Sequence, residues 1–436
     1  MERRRAPIWT SQFSTLFGIN FVINFAQFMT LAMVPKLAES LGATALMVGV
    51  VAGVFAVTSL AVRPAVGWAT LKVRHNLLLT ATVSLIAVAF VAYGASSSLT
   101  LLIAARLLHG AAMGFLAPVT LAMASDALPP ERMAQGIGVF SLGQAVATAL
   151  GPSVGLWLAA ELGYRPAFLC GAALLALAAA LAWRFPSRRP EPTVGRGFTW
   201  RSFIALEALV PAAVVLLLGG AFSGVNSFIV LYGESRNVTG IGLFFTVYAL
   251  FIVISRPIAG RVGDAHGLRV VVIPGMVAFA FSFVVIAHAR TLAGFLVAGA
   301  ISAFGYGICQ PAIQTLCLMS VEPARRGVAS NTNYLGLDLA YLVMPIGAGS
   351  VVTARVDAGT ALPEAYSTMY LTLTVPIALG LLVLILFGRN LRGWRPRMSV
   401  ETEAAALHAQ DSPARQPARA LPGPVQATDD TEGTPS

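Results

Sequence analysis

Charge is what this chain has least of. Of its 436 residues only 11% are Asp, Glu, Lys or Arg, 57% are apolar, and the mean hydropathy is +0.77. A soluble domain carries roughly a quarter charged residues, so most of this chain faces something other than water, and lipid is the solvent that fits. Cysteine is scarce as well. Cys170, Cys309 and Cys317 are odd in number and lie inside apolar runs, which gives neither a disulfide framework nor a metal-ligand spacing. There is no glycine-rich phosphate-binding loop, so nothing points to direct use of ATP, and no enzyme chemistry or cofactor is implied. The net charge of +10 does not make a nucleic-acid binder, because the basic residues are spread over short segments between apolar runs. Short alternating strands are absent, which excludes a transmembrane β-barrel.

What remains is a series of twelve apolar runs, each about 20 residues and long enough to cross a bilayer. Their limits are near 13–35, 46–69, 76–95, 99–124, 136–158, 167–185, 210–232, 240–263, 270–288, 293–319, 328–352 and 368–388. Helices are expected, because backbone groups in lipid must be satisfied within their own segment. Arg3-Arg4-Arg5 precedes a long run with no obvious cleavage site, which reads as a retained first span. With the N-terminus inside, the inner segments hold 19 Lys and Arg and the outer ones 5. That asymmetry predicts cytoplasmic termini at both ends and a multi-pass protein of the plasma (inner) membrane. The expected parts are a cytoplasmic start (1–12), two six-span halves (13–185 and 208–388), a Pro- and Arg-rich linker between them (186–207), and a polar tail (389–436) too poor in apolar residues to fold.

The halves repeat each other. A constant shift of 193 residues puts Gly49 on Gly242, Gly114 on Gly307, Pro118 on Pro311, Pro130 on Pro323, Arg132 on Arg325, Gly143 on Gly336 and Pro152 on Pro345. Gly and Pro set turns, kinks and close helix contacts, so the shift implies one backbone unit used twice. The stretch from Ser255 to Arg269 has a weaker copy at Arg63-Pro64-Ala65-Val66-Gly67-Trp68, the same 193 residues earlier.

Polar side chains within the runs are unevenly distributed. Asn20, Asn24 and Gln27 share one face of run one; Arg106 and His109 lie in run four, Ser141 and Gln144 in run five, Ser223, Asn226 and Ser227 in run seven. Tyr306, Gln310 and Gln314 lie in run ten, and Asn331, Tyr334, Asp338 and Tyr341 occupy one arc of run eleven. Every third run is nearly all apolar or has only small hydroxyls and suits lipid, which leaves the others to line a shared polar interior.

At these residues the chain, from about 13 to 388, resembles the major facilitator superfamily of secondary transporters. Gly260-x-x-x-Asp264-x-x-Gly267-x-Arg269 is similar to the superfamily's signature loop between the second and third helices of a half; the N-terminal copy keeps Gly67 but has Leu71 in place of the acid. Arg106-Leu107-Leu108-His109-Gly110 resembles its helix-four motif. Gly151-Pro152-Ser153-Val154-Gly155, with Gly143 upstream, resembles the helix-five motif of drug/proton antiporters, and Asp126-x-x-Pro129-x-x-Arg132 the loop between helices four and five. The resemblance implies an all-α membrane protein, twelve transmembrane helices in two pseudo-symmetric six-helix bundles, with substrate and coupling sites near the midplane.

Each residue singled out has two readings. Asp338 is the sole carboxylate near the centre of a run: it is either a proton carrier, with Arg106 as a counter-charge across the cavity, or an acid paired permanently for packing. His109 is either a second titrating group or a packing histidine. Asn20, Asn24, Gln27, Asn226, Tyr306, Gln310, Asn331 and Tyr334 are candidate substrate contacts or interhelical hydrogen bonds. Asp264, with Gly260, Arg256, Arg63 and Gly67, is a gate or a solvated loop, and Gly151 and Pro152 supply the close contact and kink on which rocking depends. The function expected is proton-coupled export of a small organic molecule by a monomer in the lipid bilayer, with no nucleic acid, metal or cofactor as partner. Alternatives are a dedicated exporter of an endogenous metabolite such as a metallophore, a proton-coupled importer, and a non-transporting membrane sensor or scaffold.

Overall fold

The computed structural model describes residues 9–128, 133–186, 204–322 and 325–388. Fourteen α-helices are found among them: α1 (Ser11–Ser40), α2 (Ala45–Gly53), α3 (Phe55–Lys72), α4 (His75–Gly94), α5 (Leu99–Asp126), α6 (Met133–Leu162), α7 (Tyr164–Trp183), α8 (Leu209–Ser235), α9 (Leu243–His266), α10 (Arg269–His288), α11 (Leu292–Met319), α12 (Arg326–Asp357), α13 (Leu362–Thr372) and α14 (Thr374–Phe387). They make twelve membrane crossings in two bundles of six, because α2 with α3, and α13 with α14, each form one crossing. Eleven crossings hold a long apolar stretch, and α6 supplies a shorter one from Val146 to Leu162. The expected linker lies largely outside the described residues, and the tail (389–436) wholly so.

Two runs differ from expectation. The second is not one helix: it breaks at Val54, where the backbone closes a tighter turn and Val57 N–H bonds the Val54 carbonyl at 3.1 Å. Apolar side chains continue through the break, so hydropathy alone does not mark it. The twelfth begins at Leu362 rather than near 368 and is interrupted at Leu373. Helices also outrun the apolar stretches, since their polar ends stay helical in the interfacial region. Thr10, Thr44 and Thr291 cap α1, α2 and α11 by accepting from Phe13, Met47 and Gly294 N–H.

The repeat has a structural counterpart. Pro64 and Pro257, Pro118 and Pro311, and Pro152 and Pro345 are mid-helix prolines in α3 and α9, α5 and α11, and α6 and α12. Each pair is separated by the same 193 residues. The halves meet where α2 packs on α12 and α6 on α9. In the first contact a Cβ on Gly49 would collide with the Pro345 carbonyl; in the second, Gly242 lies against Ser153, beside Pro152. Gly49 and Gly242 are repeat mates, as are Pro152 and Pro345, so the two seams are one contact used twice. Hydrogen bonds tie them: Ser153 Oγ donates to the Gly242 carbonyl at 2.8 Å, Thr246 Oγ1 to the Ala149 carbonyl at 3.1 Å, and Leu46 N–H to Thr353 Oγ1 at 3.0 Å.

These seams lie toward the face opposite the described chain ends, Trp9 and Gly388, here called the distal face. At its edge Lys36 of α1 forms an ion pair with Glu234 of α8. The terminal face carries the signature loop. There α9 continues through Gly260 and Asp264 and turns only at Gly267, whose φ of +83° is the left-handed region that suits glycine. The N-terminal copy turns through Val73 in an extended conformation instead.

Candidate functional site

A largely buried ion pair, Arg63–Asp338, joins the two halves. Arg63 Nε donates to Asp338 Oδ2 at 2.6 Å, and a terminal nitrogen lies 2.5 Å from the same oxygen. The side chains are 13% and 15% exposed, so the pair is held largely out of water. Tyr334, one turn before Asp338 on α12, places its ring 5.5 Å from the Arg63 guanidinium carbon. The counter-charge of Asp338 therefore comes from α3 and not from Arg106 of α5, a correction to the sequence expectation. Its cause is register: α3 packs directly on α12, whereas Arg106 is held elsewhere.

Arg106 lies at the break in the second crossing. Breaking a helix frees carbonyls that the next turn would have bonded. Arg106 Nε donates to the Val51 carbonyl at 3.0 Å and a terminal nitrogen to the Ala52 carbonyl at 2.7 Å. Its guanidinium carbon lies 4.5 Å from the centre of the Phe55 ring. It is 4% exposed. A pocket opens beside it between α1, α2, α3, α8 and α12, lined by Thr30, Phe55, Asn226, Ser227, Tyr341 and Pro345 among others. Asn226 Nδ2 donates to the Tyr341 hydroxyl at 3.3 Å across that pocket.

His109 lies one turn along α5 from Arg106. Its Nδ1 shares a hydrogen bond of 2.9 Å with the Tyr93 hydroxyl, and Phe90 packs edge-on beside it. It is fully buried in the packing of the N-terminal half.

The other predicted residues are dispersed. Asn24 Nδ2 donates to the Asn20 carbonyl at 2.8 Å and to its side chain at 3.0 Å, so these two serve each other along α1; the Gln27 side-chain oxygen is buried without a partner among the described residues. Tyr306 is buried in an aromatic stack, 4.2 Å from Phe222. Gln310 is half-buried one turn further along α11, and Asn331 lies on α12 on the terminal side of Asp338. Arg256 is exposed and donates to the Gly307 carbonyl at 3.2 Å, within its own half. Gly260 is exposed with open space around it, while Gly151 and Gly155 face Phe28 and Met33 of α1. The helix backbone includes Gly67, Leu71, Asp126 and Asp264, but their surroundings, and residues 129–132, lie outside what the structure describes. Sequence reasoning placed Arg63 only with the gate, put Tyr341 on the arc of Asp338 without making it a substrate contact, and left Phe55 out. The spacing of three residues drew Tyr341 to Asp338; Phe55 carries no such signal.

The sequence pattern of the Major Facilitator Superfamily matches residues 16–240 and 212–419. The staphylopine export protein of Staphylococcus aureus is 23% identical over 250 residues, 55% of this chain and 61% of that protein, so the match spans less than two thirds of that relative. An uncharacterized MFS-type transporter of Methanocaldococcus jannaschii is 21% identical over 361 residues, 80% of this chain and 91% of the relative. Among solved structures, a bacterial homologue of the human lysosomal transporter Spinster, in an inward-facing and occupied conformation, superposes with a TM-score of 0.72 at 14% identity, covering 88% of this chain and 97% of that one. The nucleoside transporter NupG superposes with a TM-score of 0.66 at 13% identity, covering 86% and 99%.

Proposed function

The chain belongs to the major facilitator superfamily, and on that premise we propose that it is a proton-coupled exporter of a small organic molecule in which Asp338 carries the proton. The observation that supports this reading is the ion pair Arg63–Asp338, which ties one half to the other. A carboxylate in this position holds either Arg63 or a proton. Ionised, it ties α3 to α12; protonated, it releases them. Proton occupancy thereby becomes a preference between arrangements of the halves, which is all that coupling requires.

Magnitudes are compatible. Breaking a buried ion pair by removing one charge costs about 3–5 kcal/mol. Moving a two-state equilibrium from 1:99 to 99:1 takes about 5.5 kcal/mol. One proton at this pair supplies most of such a shift. Substrate binding in the neighbouring pocket supplies the remainder.

A narrower reading is favoured by one relative. The staphylopine export protein matches over 250 residues, which supports a dedicated exporter of an endogenous metal-chelating metabolite over a general drug exporter. Both readings share the test. In a deletion strain, small metabolites accumulating inside and missing from the medium are identified by mass spectrometry, and plasmid-borne variants are scored for restoring them to the medium. Wild type restores export and a protonophore abolishes it. Asp338→Asn keeps size and hydrogen bonding but removes titration, and is expected to leave less than about a tenth of the export, in line with a lost driving term of a few kcal/mol. Wild-type export by Asp338→Asn would sink the assignment of the proton to this residue.

A further inference from the structure

Arg106 is a buried cation without an anion. Among the described residues no carboxylate lies within ion-pair distance of it, since Asp338 is taken by Arg63. Two carbonyls occupy two of its five N–H donors, and the Tyr93 hydroxyl stands beside it. Carbonyl dipoles and the Phe55 face ease the cost of burial but leave the full charge in place. Intramembrane cations are rarely left so unless they line a path or a site.

The pocket beside it has a matching hydrogen-bond inventory. Asn226 uses one of its two amide N–H groups on Tyr341. The Tyr341 hydroxyl accepts that bond, and its own proton has no acceptor among the described residues. By contrast Thr30 and Ser227 donate to backbone carbonyls of Gln27 and Ser223, so their hydroxyl protons are spoken for. The donors left over therefore come from Arg106, Asn226 and Tyr341, with one positive charge and no negative one. The walls otherwise are apolar, from Leu31, Val34 and Pro345.

We propose that this pocket binds a carboxylate of the transported molecule, with Arg106 supplying the charge and Asn226 and Tyr341 the directional hydrogen bonds. The proposal rests on the transport reading and deepens it, naming a substrate class: organic acids or amino-carboxylates. The pocket is small and takes the carboxylate itself. It joins residues of both halves, Arg106 and Thr30 from one and Asn226 and Tyr341 from the other, so an anion seated there bridges them at a second point beside the Arg63–Asp338 pair.

The test uses the purified full chain in detergent and two fluorescent probes that differ only at the acid group, dansylglycine and dansylglycinamide. Wild type is expected to bind the acid at least about tenfold more tightly than the amide, the scale of one charge-assisted hydrogen bond. Arg106→Gln should abolish that preference. Arg106 also holds two backbone carbonyls, so this variant can fail to fold. Tyr341→Phe removes a donor with little change in packing and Asn226→Ala removes one by truncation, and each should cut the preference about threefold or more in protein with an unaltered unfolding midpoint. Equal binding of acid and amide by wild type, binding of neither, or a preference untouched in both of those variants overturns the proposal. A preference lost in Arg63→Gln but kept in Arg106→Gln also overturns it and moves the anion to Arg63. None of these outcomes bears on proton coupling, which the Asp338→Asn export measurement decides separately.

Discussion

At the scale of single residues, the Arg63–Asp338 pair has to be both stable enough to form and weak enough to break. Its side chains are 13% and 15% exposed, so neither partner is freely solvated when the other is removed. Arg63→Gln and Asp338→Arg are each expected to destabilise the protein by about 3–5 kcal/mol, because the first leaves a buried carboxylate unpaired and the second sets two buried like charges together. The exchanged double variant, Arg63→Asp with Asp338→Arg, should recover most of that loss, read as the unfolding midpoint in detergent. It should not recover gradient-driven export, since the titrating carboxyl would then sit on α3, in different surroundings from those Tyr334 and α12 provide. Recovery of both would mean that the pair is structural and that the proton is carried elsewhere. Asp338 was legible in the sequence because it is the sole acid central to a run. Its partner was not, because Arg63 and Arg106 are both basic residues of the first half, and only the register of α3 on α12 chooses between them. His109 shows the same limit: its type suggests titration, while Tyr93 and Phe90, which decide its role, come from another helix.

At the scale of elements, glycines fall into two kinds that make opposite predictions. Gly110 of α5 faces the Phe55 carbonyl inside the N-terminal half, and Gly49 of α2 faces the Pro345 carbonyl across the seam between halves; a Cβ would collide with backbone in both places. Gly110→Ala should strain the half itself, lowering stability by about 1–3 kcal/mol, as overpacking does, with a lower unfolding midpoint and less protein in the membrane. Gly49→Ala meets a surface that must part during transport. It is expected to leave the midpoint within a degree or two while favouring separation of the distal ends. An equal loss of midpoint in both variants would show that the seam is as fixed as the interior. The repeat made Gly49 visible in the sequence and the helix-four motif made Gly110 so, and the prolines 193 residues apart made the shared helix geometry visible too. The break at Val54 was not visible, because no proline marks it and the apolar run is continuous. What fixes it is Arg106, whose donors take the carbonyls it frees.

At the scale of the whole molecule, the α2–α12 and α6–α9 seams and the Lys36–Glu234 pair join the halves toward the distal face, so any state open distally must part those seams and break that pair. That ion pair is partly exposed, 20% and 41% at the two side chains, so it is worth roughly 0–1 kcal/mol, a factor of about 5 in population at most. It acts as a bias and not a lock. Reversing one charge does more than removing it: Lys36→Glu would set three carboxylates, with Glu39 and Glu234, at the edge where α1 meets α8. The distally open state should then be favoured by about tenfold or somewhat more, the sum of a lost attraction and a similar repulsion. Ser227→Cys, in the lining of the pocket, reports it in a background with Cys170, Cys309 and Cys317 replaced. Its labelling by a membrane-impermeant thiol reagent added from the distal side should quicken in Lys36→Glu, and quicken less in Lys36→Gln. Raised salt should narrow the difference, since exposed charges are screened. Adding Glu234→Lys to Lys36→Glu restores an opposite pair and should slow labelling again. If all four proteins label alike, the distal closure is held by the glycine and proline seams alone, and the charges at its rim do not set the balance between the two states.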